Sequence, residues 1–232
     1  MTTGNDLMDA LPASATKIHC PRWLVNLEQG HALVLQGRPM THAFFPVTAV
    51  CSVAIELRGA GWVQTAIVGS EGCTGLQLAL GTSFSRARET IAIAGSGYLL
   101  RAEELDIICR EHGALRQAIW RHAGYRVLFA ERLVACNAHH PVRDRLACWL
   151  LVAHDRVAGR EIPFTQEMLA GMVAARRPGV SIAAGELKRA GAIEYSRGVL
   201  RVLDRRKLRA LACQCYDVMK AAPAVPLRSL PR

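Results

Sequence analysis

Short apolar runs separated by glycine and proline fill the first part of the chain, from about Pro21 to Arg101. Within Val50 to Leu57, large apolar residues alternate with small or polar ones, which is the period-two pattern of a strand with one buried face. No helix of crossover length separates these runs, so the pattern predicts an antiparallel β-roll or jelly roll rather than an α/β fold. The predicted strands are Ala32 to Leu35, Val50 to Leu57, Trp62 to Val68, Thr90 to Ala94 and Gly97 to Leu100.

After Arg101 the apolar residues recur in the three- and four-residue steps of helices. Ala102 to Glu111 predicts a short helix and Ala114 to Ala138 a long one, which spans about 37 Å at 1.5 Å per residue. Because this is longer than a small domain needs for its own core, its apolar stripe predicts a dimer seam. Packing of the stripe on the β-roll of the same chain is the alternative. The seam residues are Leu115, Ile119, Tyr125, Phe129 and Leu133.

Two further helices and a basic hairpin are predicted between Phe164 and Leu203. Thr165 suits an N-cap of the first helix, and Pro178 suits the first turn of the second, which Gly191 closes. Apolar segments on either side of Ser196-Arg197-Gly198 then predict a hairpin. Helix, helix and basic hairpin in this order are typical of a winged helix-turn-helix that binds duplex DNA.

The flanking segments complete this C-terminal unit. Pro141 starts a preceding helix that runs to about Arg156 and is closed by Gly159, and residues 137–140 form the predicted hinge before it. Asp204 caps a final basic helix from Arg205 to about Lys220, before Pro223 and Pro226 break the chain.

The exposed N-terminal end of the second helix is the part that enters the major groove in such units. Arg177 can pair with guanine and Ser181 can reach a base, whereas cations and helix starts suit phosphates. The expected base-contacting residues are Arg177, Pro178, Ser181 and Ile182. The expected phosphate-contacting residues are Thr165, Gln166, Arg176, Lys188 and Arg197.

The charge distribution supports a polyanionic partner for the C-terminal part. The net charge is +10, yet residues 1–138 carry 12 basic against 11 acidic side chains. Residues 139–220 carry 15 basic and 8 acidic side chains, and two more basic residues, Arg228 and Arg232, follow them. The excess therefore lies where the DNA-binding unit is predicted.

Several classes of protein are disfavoured by what the sequence lacks. It has neither an apolar run of 18 residues nor a signal peptide, so we expect a cytoplasmic protein without membrane association. It has no nucleophile elbow, phosphate-binding loop or zincin motif, so we expect no enzymatic activity. The eight scattered cysteines are expected to be reduced and mostly buried, with no metal site.

The sequence resembles the Crp/Fnr superfamily of bacterial transcription regulators, named for the cyclic-AMP receptor protein and Fnr. The resemblance extends from about Trp23 to Tyr216 and is firmest over Pro163 to Gly198. Weaker marks are Phe45-Pro46, the glycines of Val68 to Gly75, the helix start within Cys136 to Leu150, and Leu211-Ala-Cys-Gln-Cys-Tyr216. It implies a homodimer with a sensory β-roll, a long dimer helix and two recognition helices one DNA turn apart. By position, Arg177 falls on a base-reading arginine and Ser181 on a base-contacting serine.

The chain departs from the family pattern at the turn and in the recognition helix. Ala174 stands where the family often has glycine, which predicts a slightly strained turn. Pro178 and Ile182 stand where the family has polar residues that contact bases. Recognition of DNA sequence is therefore expected to depend more on DNA shape and deformability. Gly179 and Gly185 weaken the recognition helix by up to about 1 kcal/mol each.

The effector is not identified by the sequence. Cyclic-nucleotide binders of the family use a Gly-Glu pair and an Arg followed by a small hydroxyl residue, whereas this chain has Gly75-Leu76 and Ser85-Arg86-Ala87-Arg88. The possible effector pocket is therefore Gly75, Leu76, Arg86 and Arg88, with cyclic AMP disfavoured and a solvated loop as the alternative for Arg86. An iron–sulfur cluster of the Fnr type is set aside because Cys20 stands alone. Cys213-Gln-Cys215 and His139-His140 are weak metal or pH-sensing signals, for which inert thiols and an exposed loop are the alternatives.

Together these observations predict an α+β chain. Its expected parts are an N-terminal arm (1–20), a β-roll sensor (21–102), a dimerisation helix (103–138), a winged helix-turn-helix domain (139–220) and a flexible tail (221–232). We expect a homodimer that binds a near-palindromic operator in double-stranded DNA, has RNA polymerase as a further partner and needs no cofactor. A small-molecule-binding or protein-docking module with no specific DNA target is the alternative.

Overall fold

The computed structural model describes residues 2–59, 61–157 and 161–221. The helices are α1 (Ala13–Trp23), α2 (Leu76–Ala79), α3 (Ala102–Glu111), α4 (Gly113–His139), α5 (Val142–His154), α6 (Gln166–Met172), α7 (Arg177–Arg189), α8 (Arg205–Leu211) and α9 (Cys215–Ala221). The strands are β1 (Leu24–Leu27), β2 (Ala32–Val34), β3 (His42–Pro46), β4 (Val50–Leu57), β5 (Gly61–Val68), β6 (Arg88–Ile93), β7 (Gly95–Arg101), β8 (Glu161–Ile162), β9 (Ile193–Ser196) and β10 (Val199–Val202). Two predictions lie outside the described residues: the end of the helix at Gly159, and the tail beyond residue 221.

The N-terminal strands form the antiparallel roll that the glycine-punctuated pattern predicted. One sheet has the order β1-β7-β3 and the other β2-β6-β4-β5. Apolar side chains from both sheets, among them Phe44, Val53 and Ile91, form one buried cluster between them. The fold is therefore α+β, with the antiparallel roll first and a helix-turn-helix last.

Two strands of the roll and one short C-terminal strand are absent from the sequence-based prediction. β1 follows directly on a helix, and β3 is a continuously buried apolar run that ends in a proline. In neither sequence do apolar and polar residues alternate, and this alternation is the pattern by which half-buried strands are recognised. β3 nevertheless pairs with β7 over five residues and holds two of the largest buried side chains, Phe44 and Phe45.

Residues 2–23, which include most of the expected N-terminal arm, pack on the roll. Asn5 is fully buried, and its side-chain amide donates to the carbonyl oxygens of Pro46 (2.8 Å) and Gly72 (3.0 Å). The hydroxyl of Tyr98 donates to the carbonyl oxygen of Thr3 at 2.8 Å. The predicted arm is thus part of the folded core, because its buried polar groups are paired with the roll.

The buried face of α4 corrects the predicted dimer seam. Its five expected seam residues, Leu115, Ile119, Tyr125, Phe129 and Leu133, are all less than a tenth exposed within the single chain. The first two pack with the roll and α3, and the other three pack with the C-terminal helices. The stripe is therefore a core face that joins both halves, and a second stripe remains exposed on α4.

Two helix boundaries also differ from the prediction. The expected helix from Arg205 to Lys220 is divided into α8 and α9, because the chain turns out of the helix at Ala212 and the Cys213 amide donates to the Asp144 carbonyl at 3.4 Å. The expected hinge at 137–140 is mostly helical, since α4 continues to His139 and the break is at His140 and Pro141.

We predict that Gly97→Ala destabilises the roll, whereas Gly185→Ala does not. A Cβ at Gly97 would lie 2.3 Å from Cζ of Phe44 and 2.7 Å from the Phe45 carbonyl oxygen. Relief of this contact must move a packed strand, which costs about 1–3 kcal/mol of unfolding free energy. A Cβ at Gly185, inside α7, meets only an arginine side-chain tip at 3.6 Å and is expected to add up to about 1 kcal/mol. Urea unfolding of both variants measures the difference, and equal effects would contradict the packing argument.

Candidate nucleic-acid interface

The first helix of the C-terminal pair is positioned by its cap and its buried face. The hydroxyl of Thr165 accepts a hydrogen bond from the Met168 amide at 3.2 Å, which satisfies one of the free N–H groups at the start of α6. Leu169, Met172 and Val173 are fully buried, and Met168 packs against the same core. The N-cap predicted from the sequence is confirmed.

The turn between α6 and α7 contains a strained residue. Ala174 has a φ of +48°, a left-handed conformation in which a Cβ is unfavourable. The strain foreseen at this position is confirmed, and it is held in place by the buried residues on both sides. α7 then begins at Arg177, and Pro178 lies in its first turn, where it loses no helical hydrogen bond.

The opposite face of α7 is open to solvent. Val180, Ala183, Ala184 and Leu187 form its buried side. The four expected base-contacting residues, Arg177, Pro178, Ser181 and Ile182, are all exposed, and Ile182 is 64% exposed. They lie one helical turn apart at the N-terminal end, so the structure brings them together on one surface.

Polar contacts between α6 and α7 hold two of these side chains. The Arg177 guanidinium lies 2.9 Å from a carboxylate oxygen of Glu167, with both side chains exposed. The Ser181 hydroxyl donates to the side-chain oxygen of Gln166 at 3.1 Å. An exposed ion pair contributes only about 0–1 kcal/mol, so a stronger anionic or base partner can displace it.

The hairpin beside α7 has a two-residue turn. Arg197 and Gly198 both have positive φ, at 48° and 80°, as a type I′ turn requires. β8 adds a third strand to this small sheet, in the order β8-β10-β9. Arg201 in the sheet pairs with Glu161 and Glu194, whereas Arg197 at the tip forms no ion pair with any described residue.

The remaining expected phosphate-contacting residues lie in two places. Arg176, Lys188 and Arg197 are exposed, and within the described residues none of them is paired with an acid. Thr165 instead lies in a groove of about 290 Å³ between the roll and α6, which Trp62, Arg88 and Glu167 also line. Thr165 is itself exposed, so the structure leaves both the cations around α7 and the N-cap of α6 open to solvent.

Residues 144–211 match the family model described as the Crp-like helix-turn-helix domain. The chain carries a Crp-like helix-turn-helix domain. No curated protein matches the sequence.

Over 81–90% of its length, the chain is similar in structure to Crp/Fnr regulators. FixK2 from Bradyrhizobium japonicum superposes with a TM-score of 0.68 at 15% identity, over 82% of this chain and 96% of its own. The CRP-family regulator TTHB099 from Thermus thermophilus superposes with a TM-score of 0.67 at 19% identity, over 81% of this chain and 96% of its own. A Crp/Fnr-family regulator from Eubacterium rectale superposes with a TM-score of 0.67 at 15% identity, over 90% of this chain and 99% of its own. The chain therefore has the fold of these transcription regulators, including the roll, the long helix and the Crp-like domain.

An ion pair fixes this Crp-like domain to the rest of the chain. Arg156, which follows α5, donates from Nε to Glu71 of the roll at 2.6 Å and from Nη2 to the hydroxyl of Tyr125 on α4 at 3.1 Å. Its Nη1 donates to the Val152 carbonyl at 2.8 Å. The Arg156 side chain is only 9% exposed. One guanidinium therefore joins the roll, the long helix and the Crp-like domain, which the sequence analysis did not foresee.

A neutral histidine lies beside this junction. Burial lowers the pKa of His122 to about 4, and the positive charge of Arg126 acts in the same direction. Its Nε2 accepts from the Cys73 amide at 3.5 Å. His122 is therefore uncharged at neutral pH and fills the space beside Gly72, where a Cβ would lie 2.2 Å from its ring.

The four residues of the possible effector pocket do not converge. Leu76 is buried in the core, and the Gly75 amide donates to the buried carboxylate of Glu89 at 2.7 Å. Arg86 is exposed, whereas Arg88 stacks over the Trp62 ring at 5.2 Å in the groove against α6. The pocket inferred from the sequence is thus corrected: of the four, only Arg88 lines this groove.

The C-terminal helices also bring together a cluster of thiols that sequence reasoning had treated as inert. All eight cysteines are buried and free. Cys136, His140, Cys213 and Cys215 lie side by side, and their ligand atoms are all within 4.8 Å of one another. Two features of the sequence could have indicated this cluster. Cys136 and His140 are spaced by about one helical turn, and Cys213 and Cys215 are separated by one residue.

Within the described residues, no helix is both long enough and apolar enough to span a bilayer.

We predict that Glu71→Ala destabilises the chain strongly, because it leaves the Arg156 guanidinium buried without its carboxylate. The expected loss of unfolding free energy is about 3–5 kcal/mol. Glu161→Ala is the matched control, since it removes an ion pair with Arg201 in which both side chains are more than half exposed. That loss is expected to be about 0–1 kcal/mol. Chemical unfolding followed by tryptophan fluorescence and circular dichroism measures both, and similar losses would show that Arg156 is not the junction described above.

Proposed function

We propose that this protein is a transcription regulator that binds a near-palindromic site in double-stranded DNA as a homodimer. The observation that carries the proposal is the exposed N-terminal end of α7, where Arg177, Pro178, Ser181 and Ile182 share one surface within a Crp-like domain. Arginine is suited to the O6 and N7 atoms of guanine and serine to several base edges. Proline and isoleucine offer apolar contacts, so the helix reads few bases directly.

Exposed cations on both sides of α7 support this orientation on DNA. Arg176 precedes the helix, Lys188 lies near its end, and Arg197 projects from the hairpin. Such residues neutralise phosphates and fix the register of the helix in the groove without reading sequence. Thr165, which is exposed at the edge of the groove, and the half-buried Gln166 are expected to approach a phosphate too.

The exposed stripe on α4 supports homodimer formation. Trp120, Val127 and Val134 recur every seven residues and are 51%, 58% and 72% exposed, and Leu128 lies beside them at 55%. Gly124 between them meets no atom within 4 Å of a built Cβ, which leaves room for a second helix. A seven-residue apolar repeat is the spacing at which two helices pack along a seam. We propose this stripe, on the face opposite to the one expected from the sequence, as the seam with a second copy of the chain.

The interior of the roll supports a sensor that does not bind cyclic AMP. Leu76 stands where cyclic-nucleotide binders are expected to have a carboxylate, and it is buried in the core. The neighbouring Gly75 amide is already occupied by Glu89, whose pKa is raised by burial. Arg86, the candidate phosphate ligand, points to solvent. RNA polymerase is proposed as a further partner because the fold is that of transcription regulators.

We predict that Val134→Glu converts the dimer into a monomer, because it buries an unpaired charge in the proposed seam. Ile107→Glu is the control: Ile107 is a comparably exposed apolar residue on α3, at 55%, away from the stripe. Light scattering coupled to size-exclusion chromatography measures the mass of each variant. The same mass for both variants would contradict the assignment of the seam.

We predict that Arg177→Ala and Arg197→Ala weaken DNA binding in different ways. Duplexes selected from a random pool with the wild-type protein provide the probe. Arg177→Ala is expected to lose about 1–3 kcal/mol of discrimination at one base position. Arg197→Ala is expected to weaken binding to all duplexes equally and to reduce the slope of log affinity against log salt by about 1.

Arg201→Ala is the matched control for the hairpin, because the Arg201 guanidinium is already paired with Glu161 and Glu194. It is expected to bind the selected duplexes like the wild type in the same gel-shift titration. If Arg177→Ala and Arg197→Ala also behave like the wild type, the proposal fails. If no duplex is enriched and the protein prefers DNA no more than polyglutamate, a protein-docking or small-molecule module is favoured instead.

A further inference from the structure

The break between α8 and α9 places two cysteines against the end of the long helix. The Cys213 sulfur lies 3.6 Å from the sulfur of Cys136, in the last turn of α4. The Cys215 sulfur lies 3.6 Å from Nδ1 of His140, which ends the same helix. Three sulfurs and one imidazole nitrogen therefore point at one another, although they come from segments far apart in the sequence.

These distances match the edges of a tetrahedron around one metal ion. Metal–sulfur bonds of about 2.3 Å and metal–nitrogen bonds of about 2.0 Å place ligand atoms about 3.5–3.8 Å apart in a tetrahedral Zn²⁺ site. The two contacts of 3.6 Å fall in this range, and the upper limit of 4.8 Å for all pairs requires only small side-chain movements. A disulfide between Cys136 and Cys213 would need a far larger approach, to about 2.05 Å.

The chemistry of the four groups also favours a thiophilic divalent ion. Cys136, Cys213 and Cys215 are all less than a tenth exposed, and His140 is half-buried. Three thiolates and one imidazole are a ligand set of structural zinc sites, in which every position is filled by protein.

We propose that Cys136, His140, Cys213 and Cys215 form a tetrahedral site for Zn²⁺. Binding releases the three thiol protons to solvent and forms three metal–sulfur bonds and one metal–nitrogen bond. The ion joins the end of α4 to the loop between α8 and α9. It thereby fixes α8 and α9 to the long helix, close to the break at His140 and Pro141. This inference does not depend on DNA binding.

The test uses the full chain, reduced and freed of metal under anaerobic conditions, and titrates it with Co²⁺. We expect the visible absorption of tetrahedral Co²⁺ and a sulfur-to-cobalt charge-transfer band, both saturating at about one ion per chain and abolished by Zn²⁺. Cys215→Ser and His140→Gln are expected to weaken binding at least tenfold, as loss of a direct ligand should. Cys109→Ser, at a buried thiol on α3, is the matched control and should leave the titration unchanged.

Two further measurements keep the proposal independent of variant folding. X-ray absorption of the zinc-loaded wild type should give three sulfur neighbours at about 2.3 Å and one nitrogen at about 2.0 Å. Zinc should raise the Tm of the wild type and of Cys109→Ser but not that of Cys215→Ser. The proposal is overturned if the wild type binds no ion, if Cys215→Ser and His140→Gln bind Co²⁺ as tightly as the wild type, or if mass spectrometry finds Cys136 and Cys213 joined in a disulfide in place of a metal. Gel shifts are not used, so a failure here is separate from a failure of DNA binding.

Discussion

The Arg156 guanidinium is the contact on which the arrangement of this molecule depends. It is nearly buried and has acceptors on three separate parts of the chain: Glu71 on the roll, Tyr125 on the long helix and Val152 on the preceding helix α5. A buried cation is tolerated only where its donors are satisfied, so the three parts must meet at this point. The directed hydrogen bonds of this guanidinium add a constraint on orientation to the apolar packing between the three parts.

The long helix α4 acts on both of its faces. Its buried face joins the core under the roll to the core of the Crp-like domain, and its exposed face carries the seven-residue apolar repeat. A hydrophobic stripe in a sequence indicates that a face is covered but not what covers it. The stripe with the stronger helical period, which includes Ile119 and Phe129, is covered by the chain itself. The weaker stripe of Trp120, Val127 and Val134 was overlooked because glycine, alanine and glutamate interrupt it.

Features that depend on local chemistry could be predicted from the sequence, whereas features that depend on distant parts of the chain could not. The N-cap at Thr165, the early proline of α7 and the positive-φ turn of the hairpin each follow from a few neighbouring residues. By contrast, β3 is buried on both faces, and short apolar runs of that kind do not distinguish strand from helix. Glu71 and Arg156 are 85 residues apart, and neither position differs in sequence from an ordinary solvated charge. The thiol cluster needs the end of α4 and the break after α8 to coincide, and the sequence predicted one continuous helix at that break.

The Arg156 junction and the buried face of α4 also explain how the weakly polar helix α7 can be positioned. α7 contributes few hydrogen-bonding groups at its N-terminal end, and its ion pair with Glu167 is exposed and worth about 0–1 kcal/mol. Its orientation therefore comes from elsewhere: the Arg156 junction holds the Crp-like domain at α5, and the buried face of α4 holds it along its core. In a dimer formed along the opposite face of α4, the separation of the two recognition helices would follow from these buried contacts. Sequence selection would then rest as much on that fixed spacing as on the few bases each helix can read.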